Sequence, residues 1–171
     1  YDNYGNKDDV NFYTKASYNV TNKLNLFADL QYRMVFYEAT SVKFDDVNDT
    51  FRFFNPKAGL NYQLDEKNAF YGYFGIANKE PRRDDYESGA IKPERLFDYE
   101  LGWKYNSKKV KLSANAFYMR YNDQLVATGE LNDVGSAKFI NVPKSYRLGL
   151  EIESIVNITD KFIVQPNLTL S

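Results

Sequence analysis

One polar segment carries side chains that could bind a ligand. Arg82, Arg83, Asp84, Asp85 and Tyr86 follow one another and bring two cations, two carboxylates and a phenol together. Guanidinium groups bind carboxylates and phosphates through paired hydrogen bonds. The segment is therefore predicted to contact a chelate or an anionic ligand. The alternative is a solvated loop whose opposite charges satisfy one another.

The side chains that most enzymes need are missing. The 171 residues include no histidine and no cysteine, so imidazole bases, thiolate nucleophiles and the usual zinc ligands are absent. Glu94 follows Pro93 without a second carboxylate placed to act with it, and no Gly-x-Gly-x-x-Gly fingerprint occurs. The net charge of −1 gives no reason to expect nucleic acid as a partner. We expect neither an enzyme nor a cofactor or metal site.

Eight segments alternate apolar and polar residues with period two, the pattern of a β-strand with two different faces. The clearest has Phe97, Tyr99, Leu101, Trp103 and Tyr105 on one side. Although 26% of the chain is charged, no apolar-side position in any segment is Asp, Glu, Lys or Arg. The segments are residues 10–20, 24–36, 54–64, 70–76, 97–105, 110–118, 148–158 and 162–170. This predicts an all-β fold of antiparallel, hairpin-connected strands.

The connections indicate which medium the apolar side contacts. Short polar turns at residues 21–23, 65–68, 107–109 and 159–161 alternate with long polar stretches at residues 38–50, 78–95 and 122–138. Short turns at one end and long loops at the other are typical of up-and-down transmembrane β-barrels, and strands of about 10 residues suit a tilted bilayer crossing. Pro56 and Pro166 argue against this, because each removes a hydrogen-bond donor inside a predicted strand.

The opposite side of the predicted strands carries charges suited to a wide, water-filled lumen. The residues expected to face it are Asp29, Arg33, Asp98, Glu100, Lys104 and Arg120. They are predicted either to contact a plug or a translocating substrate, or to form cross-strand ion pairs that solvate the wall. Such a lumen favours a partial barrel domain over residues 1–171, belonging to a larger barrel.

Several short motifs resemble, in the same order, those of TonB-dependent outer-membrane receptors. They lie at residues 55–62, 78–86 (NKEPRRDDY), 91–94 (IKPE) with 99–102 (YELG), 116–125, Asn141 and 146–151. Each motif is weak alone, and the series covers most of residues 54 to 153. The spacing is more similar to the iron-complex and cobalamin branch than to the glycan-importing branch.

The resemblance implies a barrel of about 22 strands with an N-terminal plug, located in the bacterial outer membrane. Such a receptor imports an iron–siderophore, haem, cobalamin or similar nutrient with energy from TonB. Its expected partners are outer-membrane lipid, its own plug, the TonB system and a small nutrient ligand. Residues 1–171 are expected to supply barrel wall and extracellular loops, with the plug and remaining strands absent. Two alternatives stay open: an autonomous eight-stranded outer-membrane barrel with a structural or adhesive role, and a soluble β-sandwich binding module.

Overall fold

The computed structural model describes residues 4–41, 44–132 and 135–171, with only the backbone described at 44 and 45. These residues form a nine-stranded antiparallel sheet and one short helix. The elements are β1 (Tyr4–Asn19), β2 (Leu24–Ser41), β3 (Phe44–Gln63), β4 (Asn68–Lys79), α1 (Arg83–Glu87), β5 (Glu94–Asn106), β6 (Val110–Leu131), β7 (Ala137–Thr159), β8 (Phe162–Val164) and β9 (Asn167–Leu170). Each strand from β1 to β7 pairs with the next along the chain, and β9 also pairs with β7. The predicted all-β, up-and-down architecture is confirmed. No helix within these ranges is long and apolar enough to span a membrane.

The alternating apolar side chains lie on one side of the sheet, here called the apolar face, and they are exposed. Leu101 is 71% exposed and Tyr18 is 70% exposed. The buried apolar side chains of the described residues lie on the opposite, polar face or in the connection after β4; they are Val35, Ala39, Phe53, Tyr86, Ala90, Phe117 and Tyr121. Within the described ranges, therefore, no second protein layer covers the apolar face. An exposed apolar surface of this extent requires another apolar partner or medium.

Two of the three long polar stretches are continued strands, contrary to the expectation of loops. β2 runs to Ser41 and β3 begins at Phe44, while β6 runs to Leu131 and β7 begins at Ala137. Tyr37 pairs with Asp49, and Val126 with Ile140, so both hairpins stay in register well beyond the apolar segments. Polarity predicted loops here because it reports contact with water, whereas a ribbon of two strands, or of three where β1 pairs with β2, needs only cross-strand hydrogen bonds and side-chain pairs. Only the connection between β4 and β5 is mostly outside strands.

The two prolines mark breaks in pairing, which explains how the sheet accommodates them. Pro56 stays opposite Leu30 of β2, but pairing with β4 begins only at Lys57. Pro166 separates β8 from β9, and its carbonyl accepts a hydrogen bond from the backbone nitrogen of Ser154 at 3.0 Å. Pro56 therefore stands where β3 leaves β4. Pro166 stands at a break in the edge of the sheet, where β8 and β9 both pair only with β7 among the described strands, so neither missing N–H interrupts a continuous central ladder.

Aromatic rings on the polar face lie over glycines of the neighbouring strand. Phe27 is opposite Gly59, and the same pairing of aromatic with glycine recurs between β4 and β5 and between β6 and β7. A Cβ atom added to Gly59 would lie 2.5 Å from the Phe27 ring and 2.7 Å from the carbonyl oxygen of Gly72. Glycine is therefore required at this position for the strands to keep their spacing.

The sheet does not close on itself. No pairing among the described residues joins β1 to β8 or β9. The closed ring that an autonomous eight-stranded barrel needs is therefore not formed, and strand edges remain at both sides of the sheet.

Candidate functional site

The connection between β4 and β5 begins with a buried carboxylate that reaches two other strands. Glu80 accepts hydrogen bonds at 2.8 Å from both terminal nitrogens of Arg33, and its Oε1 lies 2.5 Å from the Nζ of Lys7. Arg33 also donates to Asp9, with a shortest distance of 2.5 Å. The side chain of Glu80 is only 8% exposed. This ion cluster ties the start of the connection to β1 and β2.

The charge state of Glu80 follows from these contacts. Burial raises the pKa of its carboxyl, but the hydrogen bonds from Arg33 and Lys7 lower it by more, and the pKa falls to about 2. The carboxylate is therefore ionised at neutral pH. Its two oxygens face the two terminal nitrogens of Arg33, which is the bidentate geometry that a guanidinium favours.

Residues 82–86, the predicted ligand contact, form the start of α1. Oδ2 of Asp85 accepts a hydrogen bond from the backbone nitrogen of Arg82 at 2.7 Å, and the Nε of Arg82 lies 3.5 Å from the same oxygen. Asp85 is 0% exposed, so its carboxylate caps the helix and does not face solvent. Its other oxygen is buried and has no hydrogen-bond partner among the residues that the structure describes.

Tyr86 holds α1 against the β2–β3 hairpin. Its hydroxyl donates a hydrogen bond to Asp49 of β3, and its ring stacks on Tyr37 of β2 with centroids 5.5 Å apart. The residue is 7% exposed. Burial, and the hydrogen bond to the Asp49 carboxylate, both raise the pKa of the phenol. Tyr86 therefore has a packing role, which the sequence did not indicate.

The other three members of this segment stay nearer the surface. Arg82 and Asp84 are exposed and Arg83 is half-buried. The guanidinium of Arg82 lies 5.0 Å from the ring centroid of Phe139 on β7, and the Nε of Arg83 lies 3.7 Å from Glu87. The five side chains predicted as one ligand contact therefore divide into a buried pair that positions the helix and three that reach solvent.

The far end of the connection is held by the β6–β7 hairpin. The side-chain nitrogen of Asn141 donates to the carbonyls of Lys92 and Asp123, both at 2.9 Å, and its oxygen accepts from the backbone nitrogen of Lys92 at 3.1 Å. Glu94 accepts a hydrogen bond from the backbone nitrogen of Leu125 at 2.8 Å. The connection between β4 and β5 is therefore anchored at both ends, by β1 and β2 at its start and by the β6–β7 hairpin at its end.

Five of the six charges expected to face a lumen lie on the polar face of the sheet; they are Asp29, Arg33, Asp98, Glu100 and Lys104. Asp29 is in register with lysines on both neighbouring strands. Glu100 accepts a hydrogen bond from Asn115 at 3.1 Å, and the Nζ of Lys104 lies 5.2 Å from the ring centroid of Tyr71. These contacts are the cross-strand pairs that the sequence allowed as an alternative to ligand contact.

Arg120 lies on the other side, which corrects the expectation for this residue. It is in register with Phe97 and Tyr146, both on the apolar face, and its guanidinium lies 5.9 Å from the Phe97 ring centroid. Alternation along β6 requires this placement, because Arg120 follows Tyr118 by two residues. Because Arg120 is charged, we expected it to face the lumen, but its place in the alternation of β6 puts it on the apolar face.

The ion cluster itself was not predicted. Its members Lys7 and Glu80 are separated by 73 residues, and no local pattern connects positions so far apart. Glu80 lies inside the motif at residues 78–86, which was the one available signal. The described residues contain no group of three or more Asp, Glu, His or Cys side chains placed to hold a metal ion.

The comparison with known families identifies the architecture. The family model for the TonB-dependent receptor-like β-barrel matches residues 1–169. This chain belongs to that family. TonB-dependent receptors are transporters of the outer membrane of Gram-negative bacteria, not enzymes.

Solved structures of the same fold include proteins named as transporters of copper and iron and as a receptor for alcaligin. The copper transporter OprC is 14% identical with a TM-score of 0.81, and the alignment covers 95% of this chain and 28% of OprC. The FrpB iron transporter of Neisseria meningitidis (F3-3 variant) is 20% identical with a TM-score of 0.73, covering 96% and 25%. The alcaligin outer-membrane receptor FauA of Bordetella pertussis is 16% identical with a TM-score of 0.73, covering 98% and 30%.

At these identities the likeness shows the fold alone. The chain spans between 25% and 30% of the length of these three structures. No curated protein matches the sequence.

Proposed function

We propose that this chain forms wall and outer hairpins of a TonB-dependent receptor in a bacterial outer membrane. One observation carries the proposal: the apolar face is exposed and holds no charge along the eight alternating segments. A charged side chain facing lipid at mid-bilayer costs about 2–4 kcal/mol, whereas a water-facing surface has no reason to exclude charge. Family membership supports the same conclusion.

We infer that residues 1–171 are one segment of a larger barrel, which also includes a plug and is driven by the TonB system. The open sheet supports this, because its edges need further strands to complete their hydrogen bonds. The limited share of each solved structure that the chain covers supports it as well.

We propose an iron–siderophore complex, or a chemically similar nutrient such as haem or cobalamin, as the cargo. Several structures of this fold are named for iron or siderophore uptake, among them the siderophore receptor PiuA of Acinetobacter baumannii. In this proposal Arg82, Arg83 and Asp84 contact the ligand from the β4–β5 connection, while Asp85 and Tyr86 hold that connection in place. The role requires binding and transport without catalysis.

Uptake in cells tests the proposed cargo. A strain lacking the complete gene is compared with the same strain carrying it on a plasmid, using radioactive iron loaded into catecholate or hydroxamate siderophores, haem, and labelled cobalamin. We expect gene-dependent, TonB-dependent uptake of at least one of these. Copper is the comparison substrate, and gene-dependent uptake of copper alone would contradict the proposed cargo while leaving the transporter role intact.

Behaviour in solution tests the membrane assignment. The complete protein is expected to need detergent to remain monodisperse, because the apolar face has no protein cover. A sharp, monomeric sedimentation boundary in detergent-free buffer would instead favour the soluble β-sandwich.

The proposed ligand contact is tested by replacing Arg82 and Arg83 with glutamine in the complete receptor. The matched control replaces Lys108 and Lys109, in the turn between β5 and β6, which removes the same charge at the other end of the sheet. Ligand affinity is expected to fall in the first variant only. Equal affinity in the two variants would assign residues 82–86 a purely structural role.

A further inference from the structure

The outer ends of four strands present cations on the apolar face. On each of these strands we count from the end at the short turn toward the end at the long connection. The first charged residue on the apolar face is then Arg52 in β3, Arg95 in β5, Arg120 in β6 and Lys144 in β7. We call these four residues the cationic rim. The corresponding first charges on β1 and β2 are acidic, so the rim belongs to one sector of the sheet.

The register brings three of these cations around one point. Arg95 is opposite Asn122, and Asn122 is opposite Lys144, so Arg95 and Lys144 lie two strands apart. With about 4.8 Å between strands, their backbones are about 10 Å apart. Arg120 lies on the strand between them, two residues closer to the short turns. This spacing allows a single phosphate to contact all three long side chains.

A depression of about 510 Å³ adjoins this point. Its lining includes the rim cations Arg52 and Arg95 and the amide side chains of Asn78 and Asn122, together with Lys92 and Asp123, whose charges lie 3.7 Å apart and offset each other. It forms where β3 has left β4, since those strands pair only from Lys57 onward. A volume of this size accommodates a small polar ligand or headgroup.

The rim cations have no anionic partner among the residues that the structure describes. Arg95 donates a hydrogen bond to the neutral Asn78 at 2.9 Å, and Arg120 lies over a phenyl ring. No carboxylate within the described ranges forms an ion pair with any of the four. Arg33 on the polar face, in contrast, binds two carboxylates. All four rim residues are exposed and therefore open to an external anion.

The rim lies at the expected height of a membrane surface. Below it, aromatic rings follow one another across the apolar face, with 4.9 Å between the centroids of Phe74 and Tyr99 and 6.1 Å between Tyr99 and Tyr118. Arg95 precedes the apolar run of β5, and Tyr105 at the short-turn end of that run lies ten residues further along, which is about 33 Å of strand. At a tilt of about 40° this is about 25 Å along the barrel axis, the height of the lipid-facing band.

We propose that the cationic rim binds the phosphate groups of an anionic lipid headgroup in the leaflet next to the long hairpins. This rests on the proposed function, because it requires the apolar face to be in a bilayer. Arginine guanidinium groups suit phosphate through paired, charge-assisted hydrogen bonds, and lysine adds a point charge. The aromatic rings below contact the upper part of the acyl chains.

Lipid retention by the complete receptor tests the proposal. The protein is placed in nanodiscs of phosphatidylcholine alone, or of phosphatidylcholine with phosphatidic acid, and bound lipids are counted by native mass spectrometry. The variant replaces Arg95, Arg120 and Lys144 with glutamine. The control replaces Lys67, Lys109 and Lys161 with glutamine, which removes the same charge at the short-turn end. We expect the rim variant to retain phosphatidic acid about tenfold less than wild type, and the control to match wild type.

Other results would overturn the proposal. Equal retention in all three proteins, or an equal loss in both variants, excludes a specific site at the rim. Displacement of the lipid by millimolar inorganic phosphate would show that free phosphate, not the lipid headgroup, is the ligand. If the triple variant does not fold, Lys144→Gln alone should still lower retention, and Arg120→Lys should preserve it. Failure of the wild-type receptor to enter nanodiscs would refute the membrane assignment itself, whereas normal insertion with equal retention refutes only the rim.

Discussion

Replacing Glu80 with glutamine is expected to loosen the β4–β5 connection by about 2 kcal/mol. The carboxylate accepts three hydrogen bonds from two cations, and each charge-assisted bond contributes about 1.5–3 kcal/mol. The full sum is not lost, because glutamine keeps one acceptor oxygen, Arg33 keeps Asp9, and Lys7 is exposed enough to be solvated. We therefore expect Glu80→Gln alone to lower the free energy of local opening at this connection by about 2 kcal/mol.

Amide hydrogen exchange measures this local opening. A loss of about 2 kcal/mol predicts roughly 30-fold faster exchange at the start of α1 in the complete receptor. The matched control is Glu66→Gln in the turn between β3 and β4, an exposed carboxylate outside the ion cluster. We expect no change in exchange at α1 in that control.

A double-mutant cycle decides whether the bidentate pair is responsible. Arg33→Gln and Glu80→Gln together should cost less than the sum of the two single changes, with a coupling energy of about 1–2 kcal/mol. Strict additivity would refute the reasoning, and so would exchange at α1 that does not change in Glu80→Gln.

Three further predictions concern the charge of Glu80, the hydrogen bond of Tyr86 and the packing of Gly59. Because the folded-state pKa of Glu80 is about 2 and its ordinary value is 4.5, the stability from this carboxylate is complete above about pH 4.5 and lost as the pH falls toward 2; the protection factor at α1, which is exchange relative to the intrinsic rate at each pH, should fall over that window. Tyr86→Phe removes a buried hydrogen bond but keeps the ring stack, and it should raise exchange at α1 as expected for about 1–2 kcal/mol. Gly59→Ala places a methyl group against Phe27 and should destabilise the barrel by about 1–3 kcal/mol in a denaturant titration, whereas Gly5→Ala, with its nearest neighbour at 4.0 Å, should not.

Each of these has a clear contradicting result. The acid-induced change should disappear in Glu80→Gln, and an identical pH profile in wild type and variant would assign it to another group. Unchanged exchange in Tyr86→Phe would mean that the stack alone holds α1. Equal stability of the Gly59 and Gly5 variants would show that the Phe27 ring moves aside without cost.

The candidate site illustrates how far local patterns extend. The charges and aromatic of residues 82–86 were recognised from types and spacing, but their division into buried and exposed members depends on Asp49 and Tyr37, which lie on other strands. The clamp formed by Asn141 likewise joins residues 49 positions apart. Such contacts form only when the hairpins are placed side by side.

Alternation determined the central parts of the strands and which residues share a face, since side-chain direction in a strand depends only on parity, and the unequal connections indicated that the apolar face is the outer one. Parity also places Arg120 outward, although charge suggested otherwise. The tertiary structure decided what depends on contacts between distant segments: the continuation of two hairpins through polar sequence, the open edges, the ion cluster around Glu80 and the grouping of the rim cations. Strand register across the sheet governs these features, and it arises from many pairings that no single segment encodes.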